Sequence, residues 1–167
     1  NLGRIVYAEG EYFHYMEQPI DSYKGWRVGN PPQWYPTHSN AYHIGVTGGS
    51  FTEVTCQGMP SIIDFLRPEN NSYKNPFGTE VALFRTNDGG MSRMAVSWDT
   101  PAQAASGERG RVRGQKAAFY GQFETEPADA AAADEARVRF IGSDGVCFWP
   151  GPSDDARVRI PINNREY

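Results

Sequence analysis

Two of the three histidines in this chain, His38 and His43, lie in a short segment that is rich in aromatic residues. The segment runs from Pro31 to Gly49 and reads PPQWYPTHSNAYHIGVTGG. An imidazole titrates near neutral pH, so either histidine can exchange a proton with a substrate hydroxyl. The alternative is that the segment is only the start of an ordinary buried helix, whose histidine bonds a backbone carbonyl.

The residues around the histidines predict where a helix begins and ends. Pro36 closes a proline-locked loop, and Thr37 or Ser39 can cap a helix after it. The Gly48-Gly49 pair supplies the left-handed residue that ends the helix after about three turns. One face of this helix is predicted to carry His38, Ala41, Tyr42 and Gly45. Its small residues, Ala41 and Gly45, would permit close approach of a ligand or a packed strand. The opposite side is predicted to carry His43, Ser39 and Val46.

Most of the remaining chain predicts strands. The composition of residues 4–15 favours a first strand with a bulge or bend at Gly10. Two β-rich stretches, 80–86 and 91–98, flank Asn87-Asp88-Gly89-Gly90, which is the strongest hairpin signal in the chain. Further extended segments are predicted at 51–58 and at 111–124, the second with breaks at Gly114 and Gly121.

Residues 125–167 are interpreted as a possible extension of the sheet. The echo between EARVRF (135–140) and DARVRI (155–160) predicts two amphipathic edge strands, with arginines outward and valines inward. We expect these strands to pair with each other across the turn region 142–152. The alanine-rich stretch 127–134 fits either a short helix or a mobile loop.

Together these elements predict an α+β fold, with a large, open, mostly antiparallel sheet and few helices on one face. The 167 residues suffice for a single domain that spans 1–167. A sheet of this size leaves a face that the helices do not cover. We expect that face to meet another domain or subunit.

Composition argues against several classes of function. The net charge is -4 and the basic residues form no stripe, so nucleic acid is not expected as a partner. No apolar run approaches the roughly 20 residues of a membrane helix, so no membrane partner is expected. The cytoplasm is the default location, which a signal on a preceding segment would change. Cys56 and Cys147 have no metal-site spacing, which predicts free core thiols and no metal.

Five stretches, taken in order, resemble the C-terminal domain of the glucose-fructose oxidoreductase and inositol dehydrogenase (Gfo/Idh/MocA) family. They are GRIVYAEGEYFHY, PPQWYPTHSNAY, SFTEVTCQGMPS, NPFGTEVALFRTNDGGMSRMAVSWD and GERGRVRGQKAAFYGQF, and they run from about residue 3 to residue 124. In this family an N-terminal Rossmann domain binds NAD or NADP, and the open sheet of the α+β domain supports sugar binding and subunit association. The resemblance implies that the Rossmann domain is absent from this chain and that the chain is inactive without it.

The resemblance also implies roles for the aromatic segment. In this family a histidine near the start of the first helix lies beside the nicotinamide, often in an Asp-x-x-x-His pattern, and a lysine of the Rossmann domain completes the site. His38 matches the histidine by position, whereas Trp34 occupies the aspartate position. Tyr35 or Tyr42 is a candidate for the missing hydroxyl.

The resulting site has two catalytic and five substrate-binding candidates. His38 is expected to accept the hydroxyl proton, with Tyr35 as the second catalytic residue. Trp34 and Trp26 can stack on a sugar ring, with core or interface packing as an equal alternative. The other substrate-binding candidates are Tyr42, His14 and Ser39.

We therefore predict the substrate-binding and oligomerisation domain of an NAD(P)-dependent oxidoreductase that acts on a sugar or polyol hydroxyl. The expected partners are the sugar or polyol, the chain's own Rossmann domain and further copies of the chain. The alternative is a non-catalytic carbohydrate-binding or assembly module of the same fold, because Trp34 replaces the aspartate. A third interpretation, a small lyase or isomerase site, rests on His38 and Glu80 alone.

Overall fold

The computed structural model describes residues 2–16, 18–21, 24–100, 108–121, 138–142, 145–149 and 158–160. Within these ranges the chain forms one sheet of nine strands, one α-helix and two short 3-10 turns. The 3-10 turns are Pro32–Trp34 and Asp64–Leu66. The α+β class predicted from the sequence is confirmed.

The strands run in an order that differs from their order in the chain. Across the sheet they follow each other as β2-β3-β4-β1-β5-β6-β7-β8-β9, and every neighbouring pair is antiparallel except β1 with β4. The helix α1 is Thr37–Thr47. The strands are β1 Ile5–Phe13, β2 Phe51–Pro60, β3 Phe77–Thr86, β4 Met91–Ser97, β5 Glu108–Gly114, β6 Ala117–Gly121, β7 Val138–Gly142, β8 Gly145–Trp149 and β9 Val158–Ile160.

The first strand is confirmed, but its irregularity is not where the sequence suggested. The register shift against β5 lies between Ile5 and Tyr7. Gly10 instead makes room for the helix, because a Cβ at this position would lie 1.9 Å from the backbone oxygen of Ser39. The bulge predicted at Gly10 was therefore wrong, and the glycine serves close approach of two backbones.

The predicted hairpin is confirmed as β3 and β4. Its turn contains Gly89 in a left-handed conformation, with φ 81°, and the Gly89 N–H donates to the carbonyl of Thr86 at 3.0 Å. The strand predicted at 51–58 is β2, which pairs with β3 and continues to Pro60. The segment predicted at 111–124 is the hairpin of β5 and β6, which reverses after Gly114.

The pairing predicted for the last strands was wrong. β7 and β9 contain the last three residues of each echoing motif, but these strands do not pair with each other, because β8 lies between them and pairs with both. The region 142–152, interpreted as a turn, contains that missed strand. The predictions for residues 127–134 and for the side chains of the echoing motifs lie outside what the structure describes.

The helix has the predicted ends but not the predicted orientation. Gly48 ends it with φ 70°. Neither Thr37 nor Ser39 caps it with a side chain; the Ser39 hydroxyl donates instead to the carbonyl of Pro36 at 3.1 Å. The face on the sheet is that of Ser39 and His43, both 1% exposed, whereas the small residues expected there are exposed, namely Ala41 and Gly45.

Two groups of apolar side chains fill the space between the sheet and the elements that cover one of its faces. One group joins the middle strands to the loop before α1 and to the segment between β2 and β3, and consists of Tyr12, Met16, Leu66, Val96 and Trp98. The second lies under α1 and consists of Ile5, Ala8, Val112 and Phe119. These contacts fix α1 across β1 and β5.

The other face of the sheet carries charged and polar side chains in register across neighbouring strands. Arg93 on β4 lies 3.1 Å from the carboxylate of Glu11 on β1, and Arg111 on β5 pairs with Glu9. The Tyr7 hydroxyl donates to Glu9 at 2.6 Å, and burial together with Glu9 raises the pKa of Tyr7 to about 12. We call this surface, from β2 to β6, the open face.

The edge strand β2 is exposed along nearly its whole length. Cys56 on this strand is an exposed free thiol, so the prediction of a core thiol was wrong at this position. The strand lies at the edge of the sheet, where β3 is its one neighbouring strand among the described residues, and this explains the exposure. Among the described residues, no helix has both the length and the apolar character needed to cross a bilayer.

Candidate active site

His38 lies in the first turn of α1, above the sheet and about one-third exposed. Its Nδ1 is 2.6 Å from the Oε1 of Glu108, the first residue of β5. Its Nε2 lies 3.5 Å from the hydroxyl of Tyr35, at the outer limit of a hydrogen bond. One nitrogen therefore contacts a carboxylate, and the other is directed toward a tyrosine hydroxyl.

The floor beneath His38 is the ring of Tyr12 on β1. The two rings are stacked, with centroids 4.4 Å apart and planes inclined by 13°. Tyr12 on β1 is the cross-strand partner of Glu108 on β5, so the two side chains project to the same face of the sheet. The sheet register thus brings the ring and the carboxylate to the imidazole together.

The hydroxyl of Tyr12 joins two further polar residues to the site. Arg27 Nη2 donates to it at 3.2 Å, and it lies 2.8 Å from Nδ1 of His14. The Arg27 guanidinium lies over the Tyr35 ring, with Cζ 4.3 Å from its centroid. We refer to Tyr12, His14, Arg27, Tyr35, His38 and Glu108 as the His38 cluster.

Burial shifts two ionisable groups of the His38 cluster toward their neutral forms. Desolvation, followed by the charges of Arg27 and His38, lowers the pKa of His14. Desolvation also raises the pKa of Tyr12, although the hydrogen bond from Arg27 acts in the opposite direction. The floor of the site is therefore uncharged near neutral pH, and it lies between the guanidinium of Arg27 and the carboxyl group of Glu108.

Two predicted tryptophans form an exposed aromatic surface beside the His38 cluster. Trp34 is 71% exposed and Trp26 is 49% exposed. Tyr73 connects them, because its ring lies 6.2 Å from Trp34 and its hydroxyl donates to the Trp26 carbonyl at 2.6 Å. The ring of Trp26 also lies 6.3 Å from the ring of Tyr35, centroid to centroid. The aromatic surface formed by Trp26, Trp34 and Tyr73 is therefore continuous with the His38 cluster.

Two other predicted substrate-binding residues serve packing in this structure. Ser39 is buried against β1 and its hydroxyl is satisfied by a backbone carbonyl, so a ligand cannot reach it. The ring of Tyr42 occupies the space that a Cβ on Gly110 or Gly121 would fill, with ring carbons 2.2 Å from both positions. Burial, with a smaller contribution from Glu108, raises the pKa of Tyr42 to about 12.

His43 is separated from the His38 cluster. It lies on the side of α1 that faces the sheet and is 1% exposed, and its ring packs against that of Phe51 with centroids 5.0 Å apart. Neither ring nitrogen has a hydrogen-bond partner. Burial lowers the pKa of His43, and the carboxylate of Asp88 opposes that shift. This histidine is therefore a core residue.

Glu80, the residue paired with His38 in the third interpretation, has a different partner. Its Oε2 accepts a hydrogen bond from the backbone N–H of Gln33 at 2.7 Å. Burial raises the pKa of Glu80. The carboxylate that contacts His38 is Glu108.

In the part of the chain that is described, no cluster of three His, Cys, Asp or Glu residues could hold a metal ion.

Sequence reasoning missed three members of the cluster, namely Tyr12, Arg27 and Glu108. Tyr12 had a detectable signal, since it alternates with His14 along the first strand and so shares its face. Glu108 had none, because its position depends on the pairing of β1 with β5 across almost a hundred residues of chain. Arg27 comes from a loop whose path no periodicity indicates.

No protein-family model matches the sequence, and no curated protein matches it. Solved structures do match it, and three of them that align with most of the chain follow. The inositol dehydrogenase homologue from Azotobacter vinelandii, complexed with NADH and myo-inositol, has a TM-score of 0.54 at 16% identity and is matched over 89% of this chain and 36% of its own. UDP-N-acetylglucosamine 3-dehydrogenase from Acidithiobacillus ferrooxidans has a TM-score of 0.54 at 13% identity. The match covers 99% of this chain and 42% of the dehydrogenase chain.

The third is aldose-aldose oxidoreductase from Caulobacter crescentus, complexed with glycerol, with a TM-score of 0.61 at 13% identity over 93% of this chain and 42% of its own. The fold is that of the C-terminal domain of Gfo/Idh/MocA oxidoreductases. The fold expected from the sequence resemblance is thus confirmed. At these identities the likeness establishes the fold alone, and the chain spans about two fifths of the length of these structures.

Proposed function

We propose that this chain is the substrate-binding and oligomerisation part of an NAD(P)-dependent oxidoreductase that acts on a sugar or polyol hydroxyl. The observation that carries the proposal is the position of His38, which is partly exposed at the start of α1 with Nε2 directed toward the Tyr35 hydroxyl. The structures that share the fold are named as oxidoreductases, and two are complexed with polyols.

The chemistry assigned to this chain is transfer of one proton. When a secondary hydroxyl is oxidised to a carbonyl, the carbon loses hydride with its two electrons and the oxygen loses a proton. His38 Nε2 receives that proton, and the Tyr35 hydroxyl, 3.5 Å away, orients the substrate oxygen. The rings of Trp26 and Trp34 offer a surface on which the C–H face of a sugar can stack.

The hydride acceptor is held outside these residues. The sequence has no glycine-rich strand-to-helix turn of the type that cradles a pyrophosphate, and α1 directs its first turn at the His38 cluster. We therefore infer that the described residues form no dinucleotide site of their own. A nicotinamide supplied by a Rossmann domain would provide the hydride acceptor, as NAD or NADP.

Calorimetry of the 167-residue chain tests this division of labour. NAD and NADP, titrated separately into the chain, are expected to give no measurable heat of binding at submillimolar concentration. Tight binding of either nucleotide would show that the chain contains a dinucleotide site and would overturn the proposal. The coding sequence upstream gives a second test, since a strand, a GxGxxG turn and a helix are expected there.

The open face is proposed to join copies of the chain. It carries alternating charged pairs such as Glu11 with Arg93, together with exposed apolar residues such as Leu83, which is 47% exposed. Helix α1 lies on the opposite face, where Ser39 and Tyr42 approach Gly10 of β1 and Gly110 of β5. Exposed apolar residues on a broad sheet surface mark a candidate subunit contact.

A non-catalytic carbohydrate-binding module of the same fold is the second candidate. It is favoured by Trp34, which is 71% exposed and occupies the position of the family's aspartate. The two candidates differ in the effect of substitutions in the full-length protein. In a module, Trp34→Ala weakens sugar binding and no substrate is turned over. In an oxidoreductase, Trp34→Ala raises KM for a sugar that the wild-type protein oxidises.

A further inference from the structure

We propose that Glu108 is the positioning residue of His38: its carboxylate holds the imidazole in one tautomer and one orientation, so that Nε2 is free to accept the substrate proton. The inference rests on the proposed function and adds a specific residue to it. It starts from the 2.6 Å contact between Glu108 Oε1 and His38 Nδ1.

The contact defines which nitrogen carries the proton. An ionised carboxylate only accepts hydrogen bonds, so His38 must donate to it from Nδ1. In the neutral imidazole the other nitrogen is then an acceptor. That nitrogen is Nε2, which faces the hydroxyl of Tyr35. Glu108 therefore leaves the lone pair of His38 on the side where a substrate hydroxyl would lie.

Glu108 is also well placed to restrain the ring. It begins β5, and its backbone is paired with Tyr12 of β1. The imidazole is stacked on the ring of that same Tyr12, with a centroid distance of 4.4 Å. Stacking restrains the plane of the ring, and the hydrogen bond restrains its rotation in that plane. Two neighbouring strands thus fix an imidazole that the helix alone would leave free to rotate.

The residue four positions before His38 does not share this role. Trp34 is 71% exposed, and its ring contacts that of Tyr73. An indole has no acceptor for the Nδ1 proton. Another partly buried carboxylate on this side of the sheet, that of Glu80, accepts a hydrogen bond from the backbone N–H of Gln33. The carboxylate that contacts His38 is thus that of Glu108, which lies on the strand β5.

Nitrogen chemical shifts of the histidine side chains test the inference without reference to turnover. The full-length protein is labelled with ¹⁵N in histidine, and two-bond ¹H–¹⁵N spectra are recorded at a pH where the rings are neutral. In the wild-type protein His38, assigned with His38→Asn, is expected to be protonated on Nδ1. In Glu108→Gln this preference is expected to be lost, whereas the exposed control Glu69→Gln retains it.

Kinetics on a sugar or polyol that the wild-type protein oxidises give the second readout. Loss of an orienting carboxylate acts on the proton transfer rather than on binding, so Glu108→Gln is expected to lower kcat about 10- to 100-fold with KM changed by less than about threefold. Glu108→Asp keeps the charge with a shorter reach and is expected to recover part of the rate. Glu69→Gln should match the wild-type protein.

The outcomes separate this inference from the proposed function. Protonation of wild-type His38 on Nε2, or an unchanged Nδ1 preference in Glu108→Gln, overturns the role of Glu108 whatever the activity. A wild-type rate in His38→Ala overturns the proposed function instead. An equal loss of activity in Glu108→Gln and Glu108→Asp, with a lowered thermal midpoint in both, would show that Glu108 is only a structural residue.

Discussion

The rings of Tyr12 and His38 lie face to face, 4.4 Å apart, although one belongs to the first strand and the other to the helix. The stack is possible because the backbone of α1 passes directly over Gly10, two residues before Tyr12 on β1. The approach of helix to strand thus sets the height of His38 above the sheet. Several consequences of this arrangement can be measured.

A methyl group at Gly10 should displace the helix. In Gly10→Ala the Cβ would lie 1.9 Å from the Ser39 oxygen, and that atom belongs to backbone that cannot rotate away. We expect a loss of unfolding free energy of about 2 kcal/mol or more, as for other overpacked sites, measured by urea denaturation. Gly45→Ala is the matched control: it has open space around it in the same helix, so a gain of about 0.5–1 kcal/mol is expected. Equal stability of the two variants would contradict the packing described.

The buried His43 should make stability depend on pH. Its pKa is lowered in the folded state by burial, so the unfolded chain takes up a proton first as the pH falls below about 6.5. The stabilisation from burying the neutral ring is complete above that pH and is lost as the pH falls toward the lower folded pKa. His43→Leu should therefore lose less unfolding free energy between pH 8 and pH 5 than the wild-type protein does.

The comparison is made on the difference between the two proteins, because other groups titrate in both. His14, whose pKa is also lowered, contributes with the same sign and is present in each. Glu80 and Asp99, whose pKa values burial raises, contribute with the opposite sign and are likewise unchanged. Parallel stability curves for wild type and His43→Leu would show that His43 is not buried in its neutral form.

A charge on the open face should weaken association. Leu83 projects from β3 on that face and is 47% exposed, whereas Ile44 on α1 is 46% exposed on the opposite side of the molecule. In the full-length protein Leu83→Glu is expected to lower the mass measured by light scattering toward that of a monomer. Ile44→Glu is expected to leave the mass unchanged. If both variants keep the wild-type mass, the open face is not the subunit contact.

The general architecture could be predicted from sequence because it depends on local signals. The turn Asn87-Asp88-Gly89-Gly90 identified the hairpin, and Gly48 identified the end of α1. The orientation of α1 could not be predicted, because its sequence, THSNAYHIGVT, has no continuous apolar face. In the structure, Gly10 of β1 leaves room for the backbone of Ser39, and Gly110 and Gly121 leave room for the ring of Tyr42.

Two residues of the candidate site that lie together could be indicated by the sequence, but the packing around them could not. His38 and Tyr35 lie in one segment, and the structure brings them together. Ser39 and Tyr42 lie in the same segment, yet the first is buried and the ring of the second packs against β5 and β6. The positions of Ser39 and Tyr42 depend on the orientation of the helix, and the position of Glu108 depends on the pairing of β1 with β5. Spacing along the chain encodes neither the helix orientation nor the strand pairing.

Turnover by His38→Ala is the most direct test of the central claim. The full-length protein is assayed with NAD and with NADP on a panel of aldoses and polyols, and kcat/KM is measured for a substrate that it oxidises. Loss of the general base is expected to lower kcat/KM about 10²- to 10⁴-fold, while Thr37→Ala, an exposed neighbour in the same helical turn, retains the wild-type value. A wild-type rate in His38→Ala, or no oxidation of any member of the panel by the wild-type protein, would contradict the account.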